Sequence, residues 1–259
     1  MLIKEYRVVL PMTVEEYQVA HLFCAVEEAR RSPAVFKVLQ NEPTDGAALF
    51  PGALARAGRH IHTVTQPPPN LASFFPTDAL TLHLHSWDAF PYAKTEQRNE
   101  QTGDGGRYNL AVESMRLSDR GTTEDVFPFK ELLEARDSET VHIDIADDNA
   151  YAHEQDNNQA AMSPSTFHSE RTGRGPLLQG WRDSCEPVMC IYMLAMVDFK
   201  LFGLGQPIEH AIHQEFARAC YNFHRSLFCS MDRWHGLTLD QARTMEAKML
   251  QEHTANAEL

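Results

Sequence analysis

The sequence lacks a long hydrophobic run, and this absence excludes a membrane-spanning helix. No stretch of about 18 consecutive apolar residues occurs in the chain, whereas a helix needs roughly 20 to cross a bilayer. The first residues, Met1 to Glu5, also lack the apolar core of a secretory signal. We therefore expect a soluble, cytoplasmic protein.

Basic residues are scarce, and their scarcity limits the partners that the chain can take. The sequence has 23 Lys and Arg residues against 36 Asp and Glu residues, a formal net charge of -13. Nucleic acids and anionic membranes both favour a basic protein surface. We expect no nucleic-acid partner, and only transient association with membranes.

Cysteine pairs and nucleotide-binding motifs are also missing. The five cysteines include no CxxC pair, so we interpret them as reduced thiols without a disulfide framework. The string Thr172-Gly173-Arg174-Gly175 does not match the GxxxxGK[ST] phosphate loop. Neither pattern supports a redox or nucleotide-dependent function.

The patterns that are present predict one α+β domain over residues 1–259. Residues 2–10 are typical of a strand, and Thr13 with Glu16 predicts a capping box at the start of a helix. Further strands are predicted near 36–39, 59–65, 80–84, 92–99, 108–115, 141–145 and 189–199. A short helix is predicted over 129–135, a long one from Pro207 continuing to His235, and a last one capped by Thr238 and Gln241. Residues 147–187 form a polar stretch that we interpret as a functional or mobile loop.

Two histidine pairs are the strongest enzyme signal. His60 with His62, and His83 with His85, each place two imidazoles on one face of a strand. Four such ligands suit zinc, which leaves a metal-dependent enzyme as an alternative. No HExxH motif accompanies them, and chance HxH pairs are expected among 13 histidines. Our main interpretation is a protein without catalytic residues, metal or cofactor.

Several strings resemble the phosphatidylinositol transfer protein family. They are MLIKEYRVVLP, EYQVAHLF, Asn41-Glu42-Pro43, SWDAFPY, HIDIAD, TGRGPL, NFHRSLFC and MDRWHGLTLDQARTMEA. They occur in the family's order over nearly the whole chain, which is more specific than any single motif. The segment from Gly180 to Ser184, leading to Met189-Cys190, is similar to the family's retinal-degeneration-B-like branch.

The resemblance implies a fold and a function. The implied fold is a large, concave, mostly antiparallel sheet flanked by long helices that enclose a lipid cavity, a START-like helix-grip architecture. The implied function is to bind one phospholipid as cargo and exchange it at membrane surfaces, as a monomer and without covalent chemistry. Alternatives are a carrier of phosphatidic acid or phosphatidylcholine, or a lipid sensor without inositol selectivity.

The resemblance also implies the residues around the lipid head group. They are Ala57, Arg59, Asp88, Glu246, Thr95, Ser114 and His21. Several depart from the family pattern: Ala57 replaces a threonine, Asp88 an asparagine and His21 a glutamine, while a lysine of the phosphate cradle is Met193 here. Loss of hydroxyl, amide and ammonium donors weakens selection of a hydroxyl-rich head. The family's exposed aromatic pair aligns with Leu201 and Phe202, which we predict contact the membrane.

Overall fold

The structure, a computed structural model, describes residues 1–31, 37–45, 57–67, 72, 80–99, 108–127, 139–151, 163–200 and 205–257. The described strands are β1 (Leu2–Leu10), β2 (Lys37–Asp45), β3 (Ala57–Thr65), β4 (Leu82–Ala89), β5 (Tyr92–Arg98), β6 (Tyr108–Leu117), β7 (Glu139–Ile143) and β8 (Met189–Phe199). The described helices are α1 (Val14–Arg31), α2 (Trp181–Ser184), α3 (Gly205–Cys229), α4 (Met231–Trp234) and α5 (Leu239–Ala257).

The eight described strands form one sheet in the order β2-β3-β4-β5-β6-β8-β1-β7. Every neighbouring pair is antiparallel except β1 with β7, which is parallel. The prediction of an α+β fold with a mostly antiparallel sheet is confirmed. No helix among the described residues is long and apolar enough to cross a bilayer.

The capping box predicted at the start of α1 is present. The Thr13 backbone N–H donates to Glu16 Oε2 at 2.8 Å, and the Glu16 N–H donates to Thr13 Oγ1 at 3.1 Å. Glu16 also accepts two hydrogen bonds from Arg174, at 2.8 and 3.0 Å. Burial alone raises the pKa of Glu16, but the hydrogen bonds from Arg174 and Thr13 lower it overall. The same carboxylate therefore caps α1 and fixes the loop that carries Arg174.

The two sides of the sheet are distinguished by the helices that pack against them. Ile208 and Ile212 of α3 pack with Val197 and Phe199 of β8, and with Leu82. Since alternate residues of a strand point to opposite sides, this contact defines an inner face that meets the helices and an outer face opposite. Cross-strand register then assigns every second residue of β3 to β6 to the inner face.

Several predicted elements differ in the structure, and β2 and β4 run on to Asp45 and Ala89, beyond the strands predicted near 36–39 and 80–84. The long helix does not continue to His235: α3 ends at Cys229 and α4 follows Ser230, whose φ and ψ of -95° and 9° are not helical. β7 begins and ends two residues earlier than predicted, because its register is set by pairing with β1. Within the predicted loop over 147–187, the described part includes α2, and the predicted helix over 129–135 lies outside the described residues.

The polar stretch after β7 is held in place by specific contacts. Arg225 of α3 donates to the Ile145 carbonyl at 2.6 Å and to Asp148 at 2.5 Å. Ser169 donates from its hydroxyl to Asp232 at 2.5 Å. The described parts of this stretch therefore pack on the helices.

Candidate functional site

The inner face of the central strands is only loosely covered. The helix-to-sheet packing falls mainly on β1 and β8, which lie under α3. Inner-face side chains of β3 to β6 such as Ile61, Leu84, Thr95 and Val112 keep accessible surface although they lie in the middle of the sheet. Apolar side chains that stay only partly buried on the helix side of a sheet are typical of a ligand cavity wall. We take this inner-face region as the candidate site.

A cluster of charged side chains lies on the inner face beside this apolar region. Arg59 and Asp88 are cross-strand partners in β3 and β4. Arg59 donates two hydrogen bonds to Asn41 Oδ1, at 3.0 and 2.5 Å. Asp88 Oδ1 lies 3.6 Å from Nη1 of Arg116 on β6. The predicted head-group residues Arg59 and Asp88 are therefore brought together.

The two predicted hydroxyl residues continue this cluster along the sheet. Ser114 lies opposite Ala93, which in turn lies opposite Asp88. The Ser114 hydroxyl donates to the Ala93 carbonyl at 3.5 Å, a weak bond. The Thr95 hydroxyl is 3.0 Å from that of Ser86. Both hydroxyls thus lie on the inner face near Asp88.

His21 enters the site from α1 and is held neutral. Its pKa is lowered to about 3, first by desolvation and then by the positive charges of Arg116 and Arg243. Protein atoms surround the ring, yet it keeps accessible surface, as a side chain on a cavity wall does. Neighbouring His224 has its pKa lowered to about 4, first by burial.

A short hydrogen-bond chain fixes the orientation of His224. Its Nδ1 lies 2.6 Å from the Cys220 carbonyl, and its Nε2 lies 3.2 Å from the Tyr17 hydroxyl. With the neutral ring, Nδ1–H donates to the carbonyl and Nε2 accepts from Tyr17. Protonation of Nε2 would reverse the direction of this hydrogen bond and place a charge in a buried position, which burial disfavours.

The structure does not join the remaining predicted site residues to the charged cluster through described contacts. Glu246 is buried on α5 and accepts a hydrogen bond from Arg243 at 3.1 Å. Among the described residues, no hydrogen bond joins Glu246 to β3 or β4. Ala57 begins β3 opposite Asp45, but its side chain lies outside what the structure describes. Leu201 and Phe202 are outside the described residues, so membrane contact through them stays a prediction.

Arg116 belongs to the charged cluster and was not singled out by the sequence analysis. It lies two residues after Ser114 on the same face of β6 and is only 7% exposed. A charged residue at an inward position of a strand that alternates with apolar residues was the available signal. The register that places it beside Asp88 depends on three strands and is not visible in the sequence.

The four histidines of the alternative metal site are neighbours on the outer face. His60 and His62 of β3 lie beside His83 and His85 of β4, and Leu82, on the inner face, fixes the histidines on the other side. His60 Nε2 is 3.2 Å from His85 Nδ1, and His62 Nε2 is 3.0 Å from His83 Nδ1. The rings therefore bond each other through nitrogens that a metal would need. No group of three or more ligands in the described part of the chain is arranged to hold a metal.

The outer-face histidines give a first prediction. Because they face away from the candidate site, we expect the variant His62→Gln/His83→Gln to keep the phospholipid transfer that the resemblance implies within about twofold of the wild-type rate. Transfer between vesicles measures the rate, and elemental analysis measures bound metal. One equivalent of zinc, together with loss of activity in the variant, would instead support the metal-dependent alternative.

A hollow elsewhere in the structure is open to solvent and is lined mainly by polar residues, unlike the inner-face region. Its accessible volume is about 620 Å³, and its walls include Glu15, Arg120 and Glu186. Acyl chains gain free energy only where they leave water for an apolar environment. The charged and open walls do not provide one, so we do not assign lipid to this hollow.

Comparison with known proteins agrees with this geometry. The family described as Phosphatidylinositol transfer protein matches residues 1–251. Phosphatidylinositol transfer protein 2 of Dictyostelium discoideum is 36% identical over 270 residues, covering 98% of this chain and 99% of that protein. The beta isoform of Mus musculus is 34% identical over 257 residues, covering 95% and 90%. Membrane-associated phosphatidylinositol transfer protein 2 of Homo sapiens is 32% identical over 264 residues, which cover 95% of this chain and 18% of that protein.

A mostly antiparallel sheet whose inner face packs against α3 has the architecture of the lipid-binding helix-grip class. The family match over residues 1–251 and the sequence identities given above identify the family. The chain belongs to the phosphatidylinositol transfer protein family.

Proposed function

We propose that this chain binds one phospholipid molecule between its sheet and helices and transfers it between membranes. The observation that carries the proposal is the loosely covered inner face of β3 to β6, with a charged cluster at Arg59, Asp88 and Arg116 beside it. The apolar inner face suits the acyl chains of a phospholipid, and the charged cluster suits its phosphate-containing head group.

The energetics favour a carrier that buries both acyl chains. Two chains carry roughly 30 methylenes, each worth about 0.8 kcal/mol when removed from water. This free-energy cost prevents a lipid from crossing water with its acyl chains exposed. A protein cavity that replaces the apolar environment of the bilayer removes the cost. Release then requires only that the cavity open where a bilayer accepts the chains. This function needs no cofactor and no catalytic group.

The head-group residues support phospholipid binding without a strict requirement for inositol. Asp88 accepts hydrogen bonds when ionised but does not donate them, unlike the asparagine that the resemblance implies. Arg59 is already bonded to Asn41. Phosphatidylinositol remains the first candidate cargo through the family, and phosphatidic acid and phosphatidylcholine are the alternatives. Presentation of the lipid to a protein partner, without transfer, is the second candidate function.

Membrane contact and location follow from the same proposal. The protein acts as a cytoplasmic monomer that meets membranes transiently, with Leu201 and Phe202 inserting at the bilayer interface. A net charge of -13 argues against lasting attachment to anionic surfaces. The acidic balance likewise argues against a nucleic-acid partner.

A vesicle assay tests the proposal. Donor vesicles carry acyl-labelled phosphatidylinositol, phosphatidic acid or phosphatidylcholine in separate experiments, and acceptor vesicles carry none. We expect the protein to accelerate movement of at least one lipid in proportion to its concentration. Binding of a lipid without acceleration would favour the sensor, and neither binding nor acceleration with any head group would overturn the proposal.

A further inference from the structure

The buried guanidinium of Arg116 has hydrogen-bonding capacity that the described residues do not use. Its Nη1 donates to the Pro91 carbonyl at 3.2 Å, while the buried Nε has no hydrogen-bond partner. Asp88 Oδ1 forms an ion pair with Arg116 at 3.6 Å, beyond hydrogen-bond distance, and accepts no hydrogen bond from the described residues. A purely structural arginine at this depth is expected to satisfy its donors, because an N–H group buried without a hydrogen bond is costly even within an ion pair.

The surroundings of Arg116 favour an anion. Its guanidinium lies 5.9 Å from the Tyr17 ring and 6.0 Å from the Phe90 ring. His21 and His224 are neutral at pH 7 because burial lowers the pKa of each. Both histidines therefore face the positive charge of Arg116, and His21 also faces that of Arg243. A planar guanidinium in a low-dielectric setting binds phosphate through two parallel N–H groups.

The position of Arg116 relates it to an absent lysine. Met193 stands where the resemblance implies a lysine of the phosphate cradle, and it is 6% exposed with its sulfur 3.8 Å from that of Cys220. Met193 is the cross-strand partner of Ser114. Arg116 lies two residues after Ser114 on the same face of β6, about 7 Å from it along the strand. Position 193 on β8 therefore carries no cation, whereas Arg116 supplies one on the adjacent strand.

We propose that Arg116 binds the phosphate of the lipid, in place of a cation at position 193, with Ser114 beside it. The proposal rests on the proposed function and adds a specificity-determining residue to it. In the lipid-bound protein, Nε and the second Nη group donate to phosphate oxygens. Asp88 Oδ1 is then free to accept a hydrogen bond from a donor on the head group.

Three variants test this assignment against a purely structural role. Arg116→Met removes the cation. Arg116→Met/Asp88→Asn also removes the carboxylate, so that no uncompensated charge is left. Arg116→Met/Met193→Lys moves the cation to the neighbouring strand. Arg98→Met is the matched control, because Arg98 is 48% exposed on the outer face.

The readouts are lipid occupancy by native mass spectrometry and transfer of acyl-labelled phosphatidylinositol, phosphatidic acid and phosphatidylcholine between vesicles. We expect Arg116→Met to lower phospholipid affinity roughly tenfold to a hundredfold, the effect of charge-assisted hydrogen bonds. The variant Arg116→Met/Asp88→Asn should not regain phospholipid affinity. The variant Arg116→Met/Met193→Lys should regain at least part of it. Arg98→Met should behave as the wild type.

Two results would overturn the assignment. One is wild-type affinity in Arg116→Met. The other is recovery in the variant that lacks both charges, which would show that Arg116 serves only to neutralise Asp88. Failure of the proposed function is a separate outcome, because the wild-type protein itself would then carry and transfer no phospholipid.

Discussion

Replacing Val112 by tryptophan is expected to lower phospholipid transfer by roughly tenfold or more while the protein still folds. Val112 lies on the inner face of β6, opposite Thr95 on one side and Ala195 on the other. A larger side chain there occupies space that the acyl chains need. Overpacking a filled site costs about 1–3 kcal/mol. If this cost falls on lipid binding, each 1.4 kcal/mol lowers the affinity for phospholipid about tenfold.

The adjacent residue provides the matched control. Ala111 points to the outer face, where its cross-strand partners are Glu96 and Met196. Ala111→Trp adds an indole at the same depth of the strand but away from the proposed cavity. Its transfer rate should stay near that of the wild type. Equal transfer by the two tryptophan variants would show that the inner face of β6 does not hold the lipid.

Acid is expected to destabilise the protein between pH 7 and pH 5, with His224 as a main cause. Its pKa is lowered to about 4 in the folded state by burial, against about 6.5 in an unfolded chain. The unfolded state therefore binds more protons in this window, so stability is full above pH 6.5 and falls as the pH falls towards 4. At pH 5 the loss from His224 alone is about 2 kcal/mol.

Urea unfolding at pH 7 and pH 5 measures this effect. His21 and His213 add to the loss in the wild type, since burial lowers the pKa of each. The difference between variants isolates His224. His224→Gln should show a pH dependence smaller by about 2 kcal/mol, whereas His210→Gln, exposed on the same helix, should match the wild type. Identical pH dependence in both variants would contradict the assignment.

Local signals in the sequence predicted the elements that local interactions determine. The capping box of Thr13 and Glu16 and that of Thr238 and Gln241 are both present. Alternation in β4 also predicted its two faces. By contrast, the end of α3 at Cys229 was not predicted, because the apolar pattern continues through Trp234, which is fully buried on α4.

The resemblance supplied the candidate head-group residues, and their role stays a prediction. The structure places Arg59, Asp88, Thr95, Ser114 and His21 on or against the inner face. Arg116 was not among them, because its position beside Asp88 depends on the cross-strand register of β4, β5 and β6. The four histidines were correctly paired within each strand, but their neighbouring strands and their position on the outer face are long-range properties of the sheet.

The space between the sheet and the helices is where we propose that one phospholipid is bound. Native mass spectrometry of the purified protein, followed by identification of whatever is released, tests this proposal. We expect a mass increment equal to one phospholipid, lost when the protein is denatured. The bare protein mass under gentle conditions, both as purified and after incubation with phospholipid vesicles, would contradict it.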